Sequence, residues 1–369
     1  MTFHAMSIPE TKVLAIASHV VYGYVGNTMA TFVMQVLGCD VGAINTVHFS
    51  NHTGYRQFKG RRTPAAEIRE LYDGLRQSYL TDFDVLLSGY SPSVEVVDAI
   101  GTIARDLRYR SAVHPGRFFW VLDPVMGDQG RLYVSEDIVP AYKQLIKEAD
   151  LILPNQFEAE LLSGVSISSL SGVANAVRTL HAVYGTRHVV VTSVRVGDSA
   201  STVTEGTGEG AALTVVGSSR RQDGSARLFK VEVPVLDCYF SGTGDMFAAL
   251  MVARLREACA QMNLLDRPSW MPDDDVEAVD LPLAKATEKV LNSMHMILEK
   301  TIAARNEEMT MFGRSPGASV GGVEGEGETV SESKRRFLAE NKAAEVRVVR
   351  NAKDLVLPED RYRAQAMDV

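Results

Sequence analysis

The sequence predicts an α/β protein with a central, mostly parallel sheet flanked by helices on both faces. From residue 12 to residue 193, short apolar runs alternate with stretches of helical length. This alternation is typical of parallel strands that are joined by helices. Polar, chemically capable side chains follow several of the apolar runs, and a nearly all-apolar helix is predicted after Asp245. Because parallel strands end at one edge of their sheet, we expect a ligand site along that edge.

Each element follows from a local pattern. A short run of apolar residues predicts a buried strand, and an amphipathic stretch predicts a helix. Pro64 near a helix start, followed by acids and later by arginines, strengthens the second predicted helix. The predicted strands are 12–17, 40–47, 84–90, 117–122, 150–153, 188–193, 211–219 and 227–233, the last two flanking a hairpin-like turn. The predicted helices are 28–37, 64–79, 93–110, 137–148, 156–163, 173–184, 246–255 and 284–305.

The chain is expected to form one main domain over residues 12–312, with an insertion at about 262–282. Within this insertion, residues 266–280 carry two prolines and an acidic run, which predict a surface excursion. Residues 313–335 are rich in Gly, Ser and Glu with almost nothing to bury, so we expect them to be disordered. Residues 336–369 are expected to return to the domain.

Three shorter segments receive local predictions. Residues 343–349 alternate well enough to predict a last edge strand. Residues 205–209 mimic the Gly-Thr-Gly-Asp pattern found at 242–245, but no apolar helix follows them, so a loop is predicted. Residues 1–11 are expected to form a loose tail.

Composition excludes several classes of function. The net charge is −8 and long basic runs are absent, which argues against nucleic acid as the main partner. No apolar run reaches the roughly 18 residues that span a bilayer, so no membrane association is expected. Three cysteines without metal-ligand spacing fit a reducing compartment. With no signal peptide evident, we expect a soluble protein in the cytoplasm, or also in the nucleus.

The turn Gly242-Thr243-Gly244-Asp245 opens the apolar helix. The first turn of a buried helix presents free N–H groups at the positive end of the helix dipole, and this arrangement suits phosphate. Asp245 lies inside that anion site, where a carboxylate would serve as a base that takes a proton from an attacking hydroxyl. The alternative is that Asp245 caps the helix, which is a common role for aspartate.

Other polar residues at strand ends have both structural and functional interpretations. Ser18 could cap a helix, His52 could be a loop hydrogen-bonder, and Asn155 with Glu158 has the spacing of a capping box. Together, however, three acids would approach the phosphate site, and magnesium prefers oxygen ligands of that kind. A divalent ion, an anion cradle and a base are the parts that phosphoryl transfer needs. P-loop and protein-kinase motifs are absent. The three acids are Asp123, Asp128 and Glu158.

These motifs resemble the ribokinase-like superfamily and, within it, the pyridoxal kinase family. Gly-Thr-Gly-Asp at 242–245 resembles the superfamily's anion hole and catalytic base, while the stretches 18–27 and 49–55 resemble the family's substrate-binding segments. The resemblance extends from about residue 12 to residue 305 and includes the tail near residues 345–360. It implies ATP-dependent phosphorylation of the 5′-hydroxymethyl group of pyridoxal, pyridoxine and pyridoxamine, with Mg²⁺ as cofactor, in a homodimer.

The resemblance also implies residue roles. Asp245 would be the base, and Gly242, Thr243 and Gly244 would stabilise the transferring phosphoryl group. The metal would be held by Asp123, Asp128 and Glu158. The substrate would contact Ser18, Val25, Phe49, His52, Thr53, Tyr90 and Asp245. ATP would contact Asn155, Glu158, Thr192, Ser193, Leu236, Phe240, Gly242 and Thr243.

One departure and three rival functions stand beside this interpretation. Leu153 replaces the Thr that the family often has before Pro-Asn, so the usual potassium or sodium site is lost or moves onto backbone oxygens with Asp123 and Asp128. A hydroxymethylpyrimidine kinase of the same fold is the nearest rival, and residues 49–55 with Ser18 favour pyridoxal. A non-catalytic vitamin B6 carrier would have no need for Asp245. An α/β hydrolase lacks its Gly-x-Ser-x-Gly elbow.

Overall fold

The computed structural model describes residues 8–195, 212–314 and 331–367. The strands are β1 (Thr11–Val20), β2 (Cys39–Phe49), β3 (Gly60–Arg62), β4 (Val85–Ser88), β5 (Phe119–Leu122), β6 (Gly127–Asp128), β7 (Arg131–Leu132), β8 (Leu151–Ile152), β9 (His188–Val194), β10 (Ala212–Arg220), β11 (Ala226–Pro234) and β12 (Gln365–Ala366). The helices are α1 (Gly26–Val36), α2 (Ala65–Gln77), α3 (Val94–Arg110), α4 (Ile138–Leu145), α5 (Gln156–Ser163), α6 (Leu170–Tyr184), α7 (Thr243–Gln261), α8 (Pro282–Arg314), α9 (Glu332–Ala343) and α10 (Ala352–Val356).

The main sheet of the described chain has the strand order β12-β11-β10-β9-β8-β5-β4-β1-β2-β3. Its centre, from β2 to β9, is parallel, while β3 at one edge and β10, β11 and β12 at the other are antiparallel. The hairpin predicted between the last two long strands is present as β10 and β11. The predicted α/β fold with a mostly parallel sheet is therefore confirmed.

Helices cover both faces of this sheet. Along β1, Val13 and Ala15 join the apolar core beneath α1, α7 and α8, whereas Leu14 and Ile16 join the core beneath α2 to α6. Successive strand residues point to opposite faces, so a run of apolar residues is buried on both sides. This explains why the central strands have apolar runs instead of an alternating pattern.

Helix α7 lies inside the first of these cores. All its residues from Met246 to Cys259 are buried, which confirms the burial that its nearly all-apolar sequence predicts. Three charged residues late in the helix are also buried, and Arg254 pairs with Glu257 at 2.9 Å. The amino end of α7 is consequently held at a fixed position beside the carboxyl ends of the central strands.

The predicted surface excursion at 266–280 is wrong for part of its length. Trp270 is only 1% exposed, stacks on Phe119 at a ring-centroid distance of 4.0 Å, and donates its indole N–H to the Gly116 carbonyl at 2.7 Å. The preceding Ser269 donates to the buried Asp150 carboxylate at 2.6 Å. The prolines and acids of this segment suggested a solvated loop, but one aromatic side chain anchors it in the core.

The predicted edge strand at 343–349 is also wrong. Ala343 ends α9 and residues 344–349 form turns and irregular backbone, and the edge position beside β11 is taken by β12 instead. Local alternation could not reveal which segment reaches the open edge. The predicted loose tail ends too late, because Thr11 is buried at the start of β1. The segment 313–335 that is predicted to be disordered overlaps helices at both ends, since α8 continues to Arg314 and Ser331 caps α9. Residues 1–7, 205–209 and 315–330 lie outside the described residues.

The buried indole of Trp270 makes the insertion a stability element. We expect Trp270→Ala to lower the free energy of unfolding by about 3–5 kcal/mol, because a large side chain leaves a cavity in the core. Urea unfolding followed by circular dichroism measures this change. Glu277→Ala, an exposed change in the same segment, should shift the stability by less than about 0.5 kcal/mol. Equal effects of the two changes would contradict anchoring by Trp270.

Candidate active site

The polar residues expected at strand ends lie along the carboxyl edge of the parallel strands. Ser18 lies near the end of β1, Tyr90 follows β4, Asp123 follows β5, and Asn155 follows β8. Backbone hydrogen bonds hold these ends side by side: Asp123 N–H donates to the Ser88 carbonyl at 2.8 Å, and Thr192 N–H donates to the Pro154 carbonyl at 2.9 Å. The edge therefore brings these strand ends together, as the parallel arrangement predicts.

The turn before α7 has the backbone form that its glycines suggest. Gly242 is the residue that precedes the helix, and its φ of +84° lies in the left-handed region. A Cβ added there would lie 2.0 Å from the carbonyl oxygen of Tyr24, so only glycine fits against that neighbouring loop. No side chain caps the helix at this residue. Asp245 is the third residue of α7, so it is not the capping residue, and the capping interpretation is wrong.

The Asp245 carboxyl group is half-buried at the start of α7. Burial raises its pKa from 3.8 to about 6, while interaction with the backbone N–H of Gly26 acts in the opposite direction. Asp123 is 8% exposed, and its pKa is raised well above 3.8 by burial and by the charges of Glu158 and Asp245. The charges of Glu158 and Asp245 thus act on the buried Asp123 carboxyl group across this edge.

Glu158 stabilises the loop after β5 through hydrogen bonds to backbone N–H groups. Its carboxylate accepts hydrogen bonds from the backbone N–H groups of Met126 at 2.8 Å and Asn155 at 2.9 Å, and from a further N–H at Gly127. The Asn155 side chain accepts from the Glu158 N–H at 2.9 Å, which completes the capping box. Burial raises the Glu158 pKa to about 7, and the backbone N–H groups oppose that rise. The capping interpretation of this pair is confirmed.

The residues present fit a divalent cation only as partial ligands. Within the described ranges, no three acidic, histidine or cysteine side chains cluster closely enough to form a complete metal site. Among the described residues, no cationic side chain is paired with the buried carboxyl groups of Asp123 and Glu158, whose pKa values are both raised, and a divalent cation would stabilise their charged forms. Magnesium characteristically keeps several waters and binds through one or two carboxylates with substrate phosphates. Asp128 is half-buried, and its carboxylate accepts from the N–H of Gln129.

The structure shows the environment of Leu153, the residue that replaces the Thr of the family's usual potassium or sodium site. Leu153 is 2% exposed and its side chain belongs to the apolar core beneath α1, α7 and α8. This side chain packs among apolar residues and contributes no oxygen ligand. Any monovalent ion beside Pro154 would have to use other oxygens.

The expected substrate segments lie at the β1 and β2 side of the same edge. Asn27, at the start of α1, donates to the Ala17 and Ile44 carbonyls at 3.2 and 2.9 Å and so fixes the two strand ends beside Ser18. Val25 is buried and precedes this helix without a side-chain cap, so Ser18 does not cap it.

The loop after β2 carries three further expected contacts. Phe49 packs on Phe58 with ring centroids 4.8 Å apart. His52 is buried, and Thr53 is exposed at the start of a short 3₁₀ turn. The backbone carbonyl of Tyr90, which follows β4, accepts a hydrogen bond from the hydroxyl of Thr46 in β2 at 2.7 Å. The loop is therefore anchored beside Ser18 and Tyr90.

The expected nucleotide residues lie toward the other side of the edge. Thr192 and Ser193 are half-buried near the end of β9. Leu236 and Phe240 are half-buried in the segment between β11 and α7, and Phe240 packs against the core beneath α7. This segment leads directly into the Gly242 turn, so it connects the expected adenine contacts to the anion site at the start of α7.

Glu345 is a site residue that local sequence patterns did not indicate. Its carboxylate lies 3.0 Å from His52 Nε2 and accepts a hydrogen bond from the Tyr55 hydroxyl at 3.0 Å. The two partners precede it in the sequence by 293 and 290 residues. A single acid in a short tail has no local signal of function, although the family resemblance did include this tail.

The comparisons with known proteins agree with this geometry. Residues 96–262 match a family model described as phosphomethylpyrimidine kinase. Human pyridoxal kinase is 37% identical over 302 residues, which cover 79% of this chain and 86% of the human one. Pyridoxal kinase of Arabidopsis thaliana is 36% identical over 293 residues, covering 79% and 82%. The chain belongs to the pyridoxal kinase family.

A solved structure extends the likeness to the whole fold. Leishmania donovani pyridoxal kinase, in complex with ADP and pyridoxamine, superposes with a TM-score of 0.73 at 30% identity, covering 97% of this chain and 100% of the other. The matching family model begins after Ser18 and residues 49–55, so it does not include the segments expected to face the substrate ring. The pyridoxal kinase relatives therefore decide against the pyrimidine alternative and support ribokinase-like kinase chemistry over a carrier.

The steric environments of two neighbouring glycines predict different outcomes of substitution. Gly242→Ala places a Cβ against the Tyr24 carbonyl and requires a strained φ, so it should destabilise the protein by roughly 1–3 kcal/mol and displace the turn. Gly244→Ala meets only Asp123 Oδ2 at 3.9 Å, so its stability should stay within about 1 kcal/mol of the original. Thermal unfolding of the unliganded variants measures both. A Gly244→Ala loss as large as that of Gly242→Ala would contradict the described turn.

Proposed function

We propose that the carboxyl-edge site carries out the reaction of its family with Asp245 as the base. The reaction is the ATP-dependent phosphorylation of the 5′-hydroxymethyl group of pyridoxal, which yields pyridoxal 5′-phosphate and ADP. One observation supports the assignment above all: a half-buried carboxyl group with a pKa of about 6 lies in the first turn of a buried helix. A base is most effective when its pKa lies near the working pH.

In the proposed mechanism, Asp245 accepts the proton of the 5′-hydroxyl as the oxygen attacks the γ-phosphorus. A bond forms between that oxygen and phosphorus, and the bond from phosphorus to the bridging oxygen of ADP breaks. The N–H groups of Gly242, Thr243 and Gly244 stabilise charge on the transferring phosphoryl group, because they lie at the positive end of the α7 dipole. Burial of α7 holds those groups in place before the reaction begins.

Magnesium fits the acidic part of the site as a partner of ATP. Asp123 and Glu158 would hold it, directly or through water, with Asp128 nearby. A bound magnesium ion neutralises charge on the β- and γ-phosphates. Its charge would also keep the two buried carboxyl groups ionised, since each has a raised pKa in its absence.

The substrate ring occupies the side of the edge formed by β1, β2 and β4. Ser18, His52 and Thr53 supply its polar contacts, and Val25, Phe49 and Tyr90 line the pocket. Pyridoxine and pyridoxamine are further substrates in this proposal. Leishmania donovani pyridoxal kinase structures with ADP and either pyridoxamine or pyridoxine support this range.

ATP occupies the other side of the edge. Asn155 and Glu158 lie beside its phosphates, and Thr192 and Ser193 contact them from the end of β9. The adenine side is flanked by Leu236 and Phe240. The ADP complexes of the Leishmania donovani relative support nucleotide binding in this fold.

We further propose that residues 12–312 act as one kinase domain to which the C-terminal segment returns, and that the protein forms a homodimer in the cytoplasm. In the described residues no helix has the length and apolarity that crossing a membrane requires. Light scattering should give twice the chain's mass, and a monomer mass would contradict the dimer.

Substitution of the proposed base separates catalysis from binding. Asp245→Asn should lower kcat by about 100-fold to 10,000-fold because the amide cannot accept the proton, while ATP affinity stays close to that of the original. A coupled ADP-release assay with pyridoxal, and in parallel with hydroxymethylpyrimidine, measures turnover. Asp223→Asn, an exposed change in the turn between β10 and β11, is the matched control. Near-original turnover of Asp245→Asn would contradict the mechanism, and turnover on the pyrimidine alone would contradict the substrate assignment.

The raised pKa of Asp245 predicts the pH dependence. A base acts when ionised, so turnover should be high above its pKa and should fall as the pH drops through about 6. An aspartate at its ordinary value of 3.8 would lose activity only at a lower pH. The measurement is kcat at saturating substrates from about pH 5 to about pH 8. ATP affinity of Asp245→Asn over the same range is the control, and a flat kcat profile would contradict the assignment.

A further inference from the structure

The Glu345 side chain lies between the two loops of the proposed substrate pocket. Glu345 follows α9, and its side chain is only 11% exposed. It reaches a turn at residues 22–24 after β1 and the loop at residues 52–55 after β2. Helix α9 packs against the second of these loops, where Arg56 lies over the Phe337 ring. The Glu345 carboxylate adds polar contacts that connect the C-terminal tail to both loops.

Both oxygens of the carboxylate have donors. Oε1 lies 3.0 Å from His52 Nε2 and 3.0 Å from the Tyr55 hydroxyl. Oε2 accepts from the backbone N–H of Tyr24 at 3.3 Å. Burial and the nearby Glu345 charge raise the pKa of Tyr55, so its hydroxyl remains a donor. A Cβ on Gly23, whose φ is +99°, would lie 2.6 Å from Oε1, so a glycine is required beside the carboxylate.

The same carboxylate is linked to the catalytic turn through one residue. The Tyr24 N–H binds Glu345, and the Tyr24 carbonyl lies against Gly242 so closely that a Cβ would not fit. The tail therefore contacts the substrate loop directly, and it contacts the anion site through Tyr24, which lies between Glu345 and Gly242.

The contact with Glu345 also determines which nitrogen of His52 carries a proton. A carboxylate only accepts, so Nε2 must carry the hydrogen of this bond. In the tautomer that carries its hydrogen on Nε2, Nδ1 has a free lone pair that can accept a hydrogen bond, and Nδ1 is buried without a partner in the described structure. A Cβ on Gly54 would lie 2.8 Å from Nδ1 and 3.3 Å from the Ser241 hydroxyl. Nδ1 thus lies on the side of the loop that faces the segment leading into Gly242.

We infer that Glu345 is a positioning residue that holds His52 with Nδ1 free to accept a hydrogen bond from the ring hydroxyl of the substrate. This inference rests on the proposed place of His52 in the substrate pocket. It gives the orphaned nitrogen a donor, since a buried acceptor without a partner is costly. It also gives the C-terminal tail a role in selecting hydroxypyridine substrates over rings that lack the hydroxyl.

The test is a kinetic comparison of Glu345→Ala, Glu345→Gln and His52→Ala with pyridoxal, ATP and a 3-deoxy analogue that lacks the ring hydroxyl. Glu345→Ala and His52→Ala should raise the KM for pyridoxal by about tenfold or more, with the KM for ATP within about twofold. Glu345→Gln keeps an acceptor for Nε2–H and should recover most of the affinity. Glu332→Gln, an exposed change at the start of α9, is the matched control.

The analogue distinguishes positioning from general stability. In the unsubstituted protein, the KM for the 3-deoxy analogue should be about tenfold higher than the KM for pyridoxal. In Glu345→Ala and His52→Ala the two KM values should be nearly equal, so this tenfold penalty disappears. A purely structural role would lower the folded fraction and kcat for all substrates while leaving the penalty unchanged, and that result would overturn the inference. If Glu345→Ala does not fold, His52→Ala and Glu345→Gln carry the same comparison.

The same assays distinguish an incorrect role for Glu345 from an incorrect proposed function. An original protein that does not phosphorylate pyridoxal would contradict the function itself. Normal turnover with an unchanged KM in His52→Ala would overturn both the pocket role of His52 and the inference. A raised KM in His52→Ala, with no change in Glu345→Ala, would overturn the role of Glu345 alone.

Discussion

Burial of α7 is the constraint on which the site depends. From Met246 to Cys259 the helix is enclosed by the core, so its amino end is held in place relative to the strand ends that it faces. The unpaired N–H groups of a helix start are normally satisfied by water or by a cap. Here Gly242 leads into the helix without a side-chain cap, which leaves those groups available to a phosphoryl group.

The second requirement is electrostatic. Burial raises the pKa values of Asp123, Glu158 and Asp245, and the charges of Glu158 and Asp245 raise that of Asp123 further. Buried carboxyl groups close together disfavour folding. Three backbone N–H groups donate hydrogen bonds to the Glu158 carboxylate and offset part of that cost. The same unbalanced charge suits a site that binds a divalent cation with its nucleotide and needs a base near neutral pH.

Two segments that looked peripheral are integral to the molecule. Trp270 anchors the acidic insertion on Phe119, and Glu345 brings the C-terminal tail against His52 and Tyr55. In both cases one buried side chain determines the position of a segment whose composition is mostly polar. A large aromatic ring or a buried carboxylate with several donors contributes more to the position of a segment than its exposed neighbours do.

By itself, the sequence determined the alternation of strands and helices, the buried character of α7, and the convergence of Ser18, Asp123 and Asp245 on one edge. These follow from apolar patterns, glycine positions and the geometry of parallel strands, all of which are local or topological. Only the tertiary structure decided that β12 forms the last edge strand, that Trp270 is buried, and that Glu345 meets His52. Those contacts join residues far apart in the chain, and no short-range pattern encodes which distant surface a single side chain will meet.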